Sequence, residues 1–398
     1  MKFTQPGDAM TDRPTTLSFL RNLIRFPTIS RDPNRDLIDY CADYLRSIGA
    51  SVNIITVEAG RKANLFATIG PKDMPGVMLS GHTDVVPVDS QAWSKPPFEA
   101  VFENGRVYGR GTADMKGFVA SALYCASKAA ERQLKTPLHL ALSHDEEIGC
   151  VGVHSLIDML VDAPVKPSMC IVGEPTSMAI AIGHKGKTAI EATCIGSAAH
   201  SAFAPQAVNA IHLASDLITQ IRHLQDDIAM NSEQDTAYDI PYTSLHAGLI
   251  AGGIALNIVP DHAVVTFEIR NLTTDNPDKI LERLGVAIAP VIAGARRRAP
   301  LAEIVFRVIN TYPGLDTPLD DAVVEMLAGL TGSDQRIKVA FGTEGGLFSQ
   351  KLGIPTVVCG PGSMEQGHKA DEFVTLEQLA ACDAMLAALI NRLEKGIG

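Results

Sequence analysis

Apolar positions recur along the first part of the chain in two rhythms. Leu17, Leu20, Leu23 and Ile24 lie three or four apart, which predicts an amphipathic helix ending before Pro27. Leu37, Cys41, Tyr44, Leu45 and Ile48 repeat that spacing, with Gly49 placed to stop the helix. Runs rich in β-branched residues then predict strands over 52–57 and 63–69. Val77-Met78-Leu79-Ser80 is a short apolar run that suits a strand buried on both faces. Helix over 116–131, strand over 139–143, helix over 151–160 and strand over 170–172 follow. This alternation predicts an α/β layer sandwich.

From about Ile180 the texture changes. A strand with alternating polarity over 189–195 precedes a long helix over 208–224, strands over 243–250 and 263–269, and a helix near 278–289. Strand, helix, strand, strand, helix, strand is the order of a small α+β unit with one sheet face covered. After about Asn310 the first texture returns, with a helix near 318–330, strands over 337–341 and 356–359, and a last helix from Leu376. The chain therefore reads as one domain interrupted by another: 1–186 and 310–398 form the first, 187–309 the insert. A length of 398 residues suits two domains.

Composition narrows the class of partner. A net charge of −11 with no basic tract beyond Arg296-Arg297-Arg298 argues against nucleic acid or an anionic membrane surface. Seven scattered cysteines, with no Cys-x-x-Cys pair, read as buried thiols in a reducing compartment. The opening residues 1–6 lack the apolar stretch of a signal peptide, and no segment approaches the length of a membrane span. The expected location is the cytoplasm.

Candidate chemistry lies where predicted strands end. His82 and Asp84 follow the apolar run 77–79, Glu146 and Glu147 follow 140–143, and Glu174 follows 170–172. Strand ends in open α/β sheets are where functional groups collect. So many acidic groups at neighbouring strand ends would repel one another unless a cation neutralises them. His82 would then offer a neutral imidazole nitrogen to a metal, with Asp84 accepting its other N–H. Asp114 has two oxygens with which to bridge two ions. One glutamate of the pair 146–147 can ligate while its neighbour takes a proton from water. Each piece alone also has a plainer reading: His82 and His368 as ordinary hydrogen-bonded histidines, and the Glu-Glu doublet as a solvated face.

Taken together the motifs resemble a known family. Gly81-His82-Thr83-Asp84-Val85-Val86-Pro87, the run from Tyr108 to Gly117 and Asp145-Glu146-Glu147 are similar to the M20 family of dinuclear zinc aminoacylases and peptidases. Gly173-Glu174-Pro175-Thr176, Gly183-His184-Lys185-Gly186, Gly342-Thr343-Glu344, Gly360-Pro361-Gly362-Ser363 and His368 with Asp371-Glu372 continue the match. The resemblance implies a zinc-exopeptidase-like catalytic domain with an inserted ferredoxin-like α+β dimerisation domain. It implies two divalent ions per subunit, zinc or else cobalt, and a homodimer acting on a small N-acyl amino acid.

Residue by residue, it implies that His82 and Glu174 hold one metal, that Glu147 and His368 hold the other, and that Asp114 bridges them. Glu146 would be the general base, Asp84 would orient His82, and the Asp114–Met115 peptide would be cis. His200 would reach a neighbouring active site to polarise the scissile carbonyl. Asn257 and Arg270 would contact the substrate carboxylate, Glu344 the ammonium of an ornithine-like substrate, and Lys185 would also line the substrate site. Asn257 closing a turn, Arg270 paired with a surface acid and Glu344 at a helix start are the purely structural alternatives. The same chemistry would also serve a succinyl-diaminopimelate or a dipeptide, and a metal-containing binding protein is the alternative outside catalysis.

Overall fold

The computed structural model describes residues 14–397; the opening residues 1–6, read above for a signal peptide, lie outside them. The chain divides into two compact units. One holds the segment up to Ile180, Leu319–Arg336 and the part from Lys351 onward; the other holds Ala181–Pro318 and Ile337–Gln350.

The first unit is built on a twisted sheet. Its strands run in the spatial order Ser51–Val57, Lys62–Ile69, Leu138–Ser143, Val77–His82, Met169–Val172 and Thr356–Val358. The first three pair antiparallel, and the last four of the series pair parallel, Val77 opposite Leu138 and Met169, and Thr356 opposite Cys170. Every residue of Val77–His82 and of Leu138–Ser143 is buried. Successive side chains point to opposite faces, so both faces must be covered, and that is why these strands read as predominantly apolar runs. The helices Arg35–Ser47, Lys116–Ala130 and Val153–Val161 pack against the sheet, and Thr16–Ile24 and Leu376–Lys395 pack on Lys116–Ala130. Thr15 caps the start of the first helix with a capping box, and Gly49, at φ +87°, follows the second in a conformation that favours glycine.

The consequence for chemistry is geometric. Four neighbouring parallel strands present their carboxyl ends at one edge, and the segments leaving those ends carry His82, Asp145-Glu146-Glu147, Glu174 and, ten residues past Val358, His368. A small sheet of Val101–Glu103, Arg106–Tyr108 and Phe373–Thr375 escaped the reading from periodicity. Its hairpin turns at Asn104-Gly105, both at positive φ, and that dipeptide is a strong hairpin signal.

The second unit has a four-stranded antiparallel sheet in the order Ser244–Gly252, His262–Asn271, Gly186–Ile195, Glu303–Tyr312. Strands Gly186–Ile195 and His262–Asn271 alternate between buried and more exposed positions along their whole length. Their buried side chains, such as Ile190, Ala192, Val265 and Phe267, share one core with Leu213, Leu217, Leu284 and Ile288 of two helices, Ala210–Asn231 and Pro277–Arg296. This is the ferredoxin-like order expected. Both helices run further than their apolar periodicity alone suggested. Asn209 and Asn276 cap their starts, and the second continues past Pro290. The unit also holds residues 181–184 of the strand Ile180–His184, where Gly183 and His184 pair with Leu315–Asp316, a strand the periodicity did not predict.

All seven cysteines are buried, and no disulfide joins any two of them. Among the described residues no helix is long and apolar enough to cross a membrane.

Candidate functional site

Within the first unit the strand ends bring five side chains into one cluster around Asp114. Its Oδ1 lies 2.9 Å from His82 Nε2, and its Oδ2 lies 3.2 Å from His368 Nε2. His82 Nε2 is 3.6 Å from Glu174 Oε1, and His368 Nε2 is 2.9 Å from Glu147 Oε2. Glu146 joins the His82 side: atoms of His82, Glu146 and Glu174 fall within 4.8 Å of one another, as do atoms of His82, Asp114 and Glu147. The Asp114–Met115 peptide is cis.

The electrostatics of this cluster are those of a cation site. Burial opposes charge on His82, yet the carboxylates of Glu174, Asp114 and Asp84 outweigh it and hold its pKa well above the ordinary value. Contacts with Asp114 and Glu147 push His368 up to about 10. Burial, helped by the charge on Asp114, raises Glu147 to about 7 and Glu174 well above the usual carboxylate range. Asp114 goes the other way: burial resists its ionisation, but His368 and His82 hold it below the usual range. Glu147 Oε1 is buried without a hydrogen-bond partner. Two imidazoles, a two-oxygen carboxylate between them, further carboxylates on each side and an orphaned buried oxygen fit a pair of divalent ions.

Asp84 is placed differently from a simple carboxylate–histidine pair. His82 Nδ1 lies 2.9 Å from the main-chain carbonyl of Asp84 and 3.5 Å from its carboxylate. The carboxylate instead accepts the Ser30 hydroxyl at 2.7 Å and the N–H groups of Glu146 and Glu147 at 3.1 and 3.3 Å. One residue thus orients the histidine through its backbone and the glutamate pair through its side chain. Glu146 also accepts the Cys150 thiol at 3.3 Å.

The remaining candidates lie in the second unit. Ala199–His200 pairs antiparallel with Ile258–Val259, and the Ser201 N–H donates to the Asn257 carbonyl at 3.0 Å, so His200 and Asn257 are neighbours on an exposed ridge. His200 Nδ1 accepts the Ala202 N–H at 3.1 Å. Arg270 is engaged by Glu268 at 2.9 Å and by the Tyr312 hydroxyl at 3.2 Å. Lys185 is buried, donates to the Tyr242 carbonyl at 2.6 Å and stands 5.6 Å from the centre of the Tyr238 ring. Its pKa is lowered, first by burial and then by Arg270. Glu344 is buried at the start of a short helical turn, where its carbonyl accepts the N–H groups of Leu347 and Phe348.

Several positioning groups were not legible beforehand. Lys62, buried beside Asp145, and Arg110, buried beside Glu372, each sit next to the cluster's supporting backbone. A charged residue opening an apolar strand, as in Lys62-Ala63-Asn64-Leu65-Phe66, is the only local sign of the first.

A model of peptidase family M20/M25/M40 matches residues 78–392. Acetylornithine deacetylase of Pasteurella multocida is 33% identical over 386 residues, covering 95% of this chain and 98% of its own. That of Shigella sonnei is 33% identical over 368 residues, covering 91% and 93%. An M20 metallo-carboxypeptidase from Sulfolobus solfataricus superposes with a TM-score of 0.77 at 20% identity, over 96% of this chain and 99% of that one. A dinuclear metal binding M20 peptidase from Bacillus subtilis gives 0.67 at 18% identity, over 96% and 98%. Both share the fold of this chain.

Proposed function

The chain belongs to peptidase family M20/M25/M40 and is a hydrolase, and we propose that it cleaves the amide of N-acetyl-L-ornithine to give ornithine and acetate, the step used in arginine biosynthesis. The observation that carries this reading is Asp114, one oxygen against each of two histidines, with Glu146 beside the same cluster. The choice of substrate is supported by the relatives named acetylornithine deacetylase that align over most of their length.

His82 and Glu174 would hold one ion, Glu147 and His368 the other, and Asp114 both. The ligand set suits zinc, and cobalt or manganese accept the same donors. Such ions, when bound, acidify a water and polarise a carbonyl oxygen. Glu146 takes the proton of the attacking water and returns it to the nitrogen of the departing amine. Asp84 keeps Glu146 in reach by accepting its N–H, and holds the His82 ring by its carbonyl. With Nδ1 of His200 occupied as an acceptor, the ring proton sits on Nε2, free to be donated to the carbonyl oxygen of a substrate bound to a neighbouring subunit. Asn257 and the N–H groups of Arg270 not taken by Glu268 and Tyr312 would bind the substrate carboxylate. Glu344 would bind its ammonium, and Lys185 would line the same site.

A homodimer formed through the inserted domain 187–309 accompanies this reading. Exposed Leu249, Ile250, Ile254 and Leu256 lie on and just beyond the edge strand Ser244–Gly252, an apolar edge of the kind proteins cover. Seven buried thiols that form no disulfide favour a cytoplasmic setting.

The test is turnover of N-acetylornithine, N-succinyl-diaminopimelate, simple N-acyl amino acids and dipeptides, with metal content quantified in the same sample. N-acetylornithine should be hydrolysed with the highest kcat/KM by protein carrying about two ions per chain. Preference for the succinyl compound or a dipeptide would overturn the substrate; turnover by metal-free protein would overturn the chemistry.

A further inference from the structure

A single buried cation closes a ring of hydrogen bonds under the glutamate pair. The Lys62 side chain is 6% exposed. Its ammonium donates to both oxygens of Asp145, at 2.8 and 2.7 Å, and to the Ser30 carbonyl at 2.6 Å, which uses all three of its hydrogens. Glu58, the other acid nearby, is 3.8 Å away and half exposed. Asp145 has φ +56°, a conformation that residues with a side chain adopt sparingly, so something must hold it there. Directly after it the N–H groups of Glu146 and Glu147 both meet the Asp84 carboxylate, and the Ser30 hydroxyl meets that same carboxylate. The circuit runs from Lys62 to Asp145, along the chain to Glu146 and Glu147, across to Asp84, on to Ser30, and back to Lys62.

We propose that Lys62 is a positioning residue for the reaction: through Asp145 and Ser30 it sets where the base Glu146 and the ligand Glu147 stand relative to His82. This rests on the roles given to Glu146 and Glu147 under the proposed function. Lys62 touches neither the reacting atoms nor the metal ligands. Its effect therefore passes through the turn 145–147, and metal affinity and kcat should respond more than KM.

The experiment compares the full chain with K62M, K62R and the double variant K62M/D145N. It reads zinc affinity by titration with zinc alone, the melting temperature, and kcat and KM on whichever N-acyl amino acid the unmodified chain hydrolyses. K62M should bind zinc about 10–100-fold more weakly and lose kcat by a similar factor, with KM nearly unchanged. K62R keeps the charge but not the three-way geometry, and should fall between the two. K62M/D145N removes the uncompensated buried acid, so it should recover much of the melting temperature while kcat and zinc affinity stay low. A folded K62M, or a folded double variant, with unmodified zinc affinity and kcat would make the pair purely structural and overturn the proposal. If the unmodified chain neither binds zinc nor hydrolyses any N-acyl amino acid, the functional reading falls and this one with it. If only the variants match the unmodified chain, this one falls alone.

Discussion

Arg110 and Glu372 form an ion pair, Nη1 to Oε2 at 2.6 Å, with both side chains 1% exposed. Glu372 Oε1 accepts the N–H groups of Ala113 and Asp114 at 2.9 and 3.1 Å, while Arg110 donates to Gln91 and to the carbonyl of Lys369, next to His368. The pair therefore grips the backbone on both sides of the candidate metal centre. Removing one partner leaves the other charged and buried, which costs about 3–5 kcal/mol. R110M and E372Q should each lower the free energy of unfolding by that order in denaturant melts. A loss within about 1 kcal/mol, the range of an exposed pair, would show that water reaches the site.

Glu146→Gln preserves size and the N–H to Asp84 but cannot take a proton. It should keep the full complement of metal and lose about a hundred- to ten-thousand-fold in kcat. Parallel assays of metal content and turnover check this, and retained activity would transfer the role of base to another group.

Zinc should displace protons. His82 and His368 are pushed upward by the carboxylates around them, and Glu147 and Glu174 chiefly by burial, so the cluster without a cation holds protons near neutrality. A bound ion needs neutral imidazoles and ionised carboxylates. Titration calorimetry at pH 7 in buffers of different ionisation enthalpy should give an apparent binding enthalpy that varies with the buffer. The same value in every buffer would contradict the assignment. Chelation should correspondingly lower the melting temperature, and zinc should restore it.

His184 predicts a loss of stability in mild acid. Its Nε2 accepts the Gly346 N–H at 3.2 Å, and its Nδ1 lies 3.0 Å from the Lys185 carbonyl, so the folded chain wants the neutral ring. Burial lowers its pKa from 6.5 to about 4. Above pH 6.5 the ring is neutral in both states and adds no slope. Below it the unfolded chain gains a proton that the folded chain refuses until about pH 4, so stability falls across that window and levels off beneath it. The shift corresponds to about 3 kcal/mol. His139, lowered to about 4 by burial, adds in the same direction. Urea melts between pH 7 and 4 measure the slope, and an H184N chain whose slope is as steep as that of the unmodified protein would remove His184 from the account.

The reading of apolar runs succeeded where one physical cause dominates. Strands 77–82, 138–143 and 169–172 are buried on both faces, so most of their residues are apolar whatever their neighbours, and the charged residues that follow mark the sheet edge. Short elements held by distant partners were not legible. Phe373–Thr375 is a strand only because Arg106–Tyr108 lies beside it, and Lys62 looks like any solvated lysine until the Lys62–Ile69 strand pairs with Leu138–Ser143 and brings it to Asp145.

Residue chemistry and local order were thus determined by the chain itself: which groups can bind a cation or carry a proton, and which strand each of them follows. Burial patterns are local, and a side chain's donor and acceptor atoms do not depend on the fold. Partner choice was decided by tertiary structure alone. Asp84 lies two residues from His82, yet its carbonyl serves the histidine while its carboxylate serves Ser30, Glu146 and Glu147. A buried polar atom takes whichever partner the packed elements bring within about 3 Å, and for Asp84 those partners arrive from segments 54, 62 and 63 residues away.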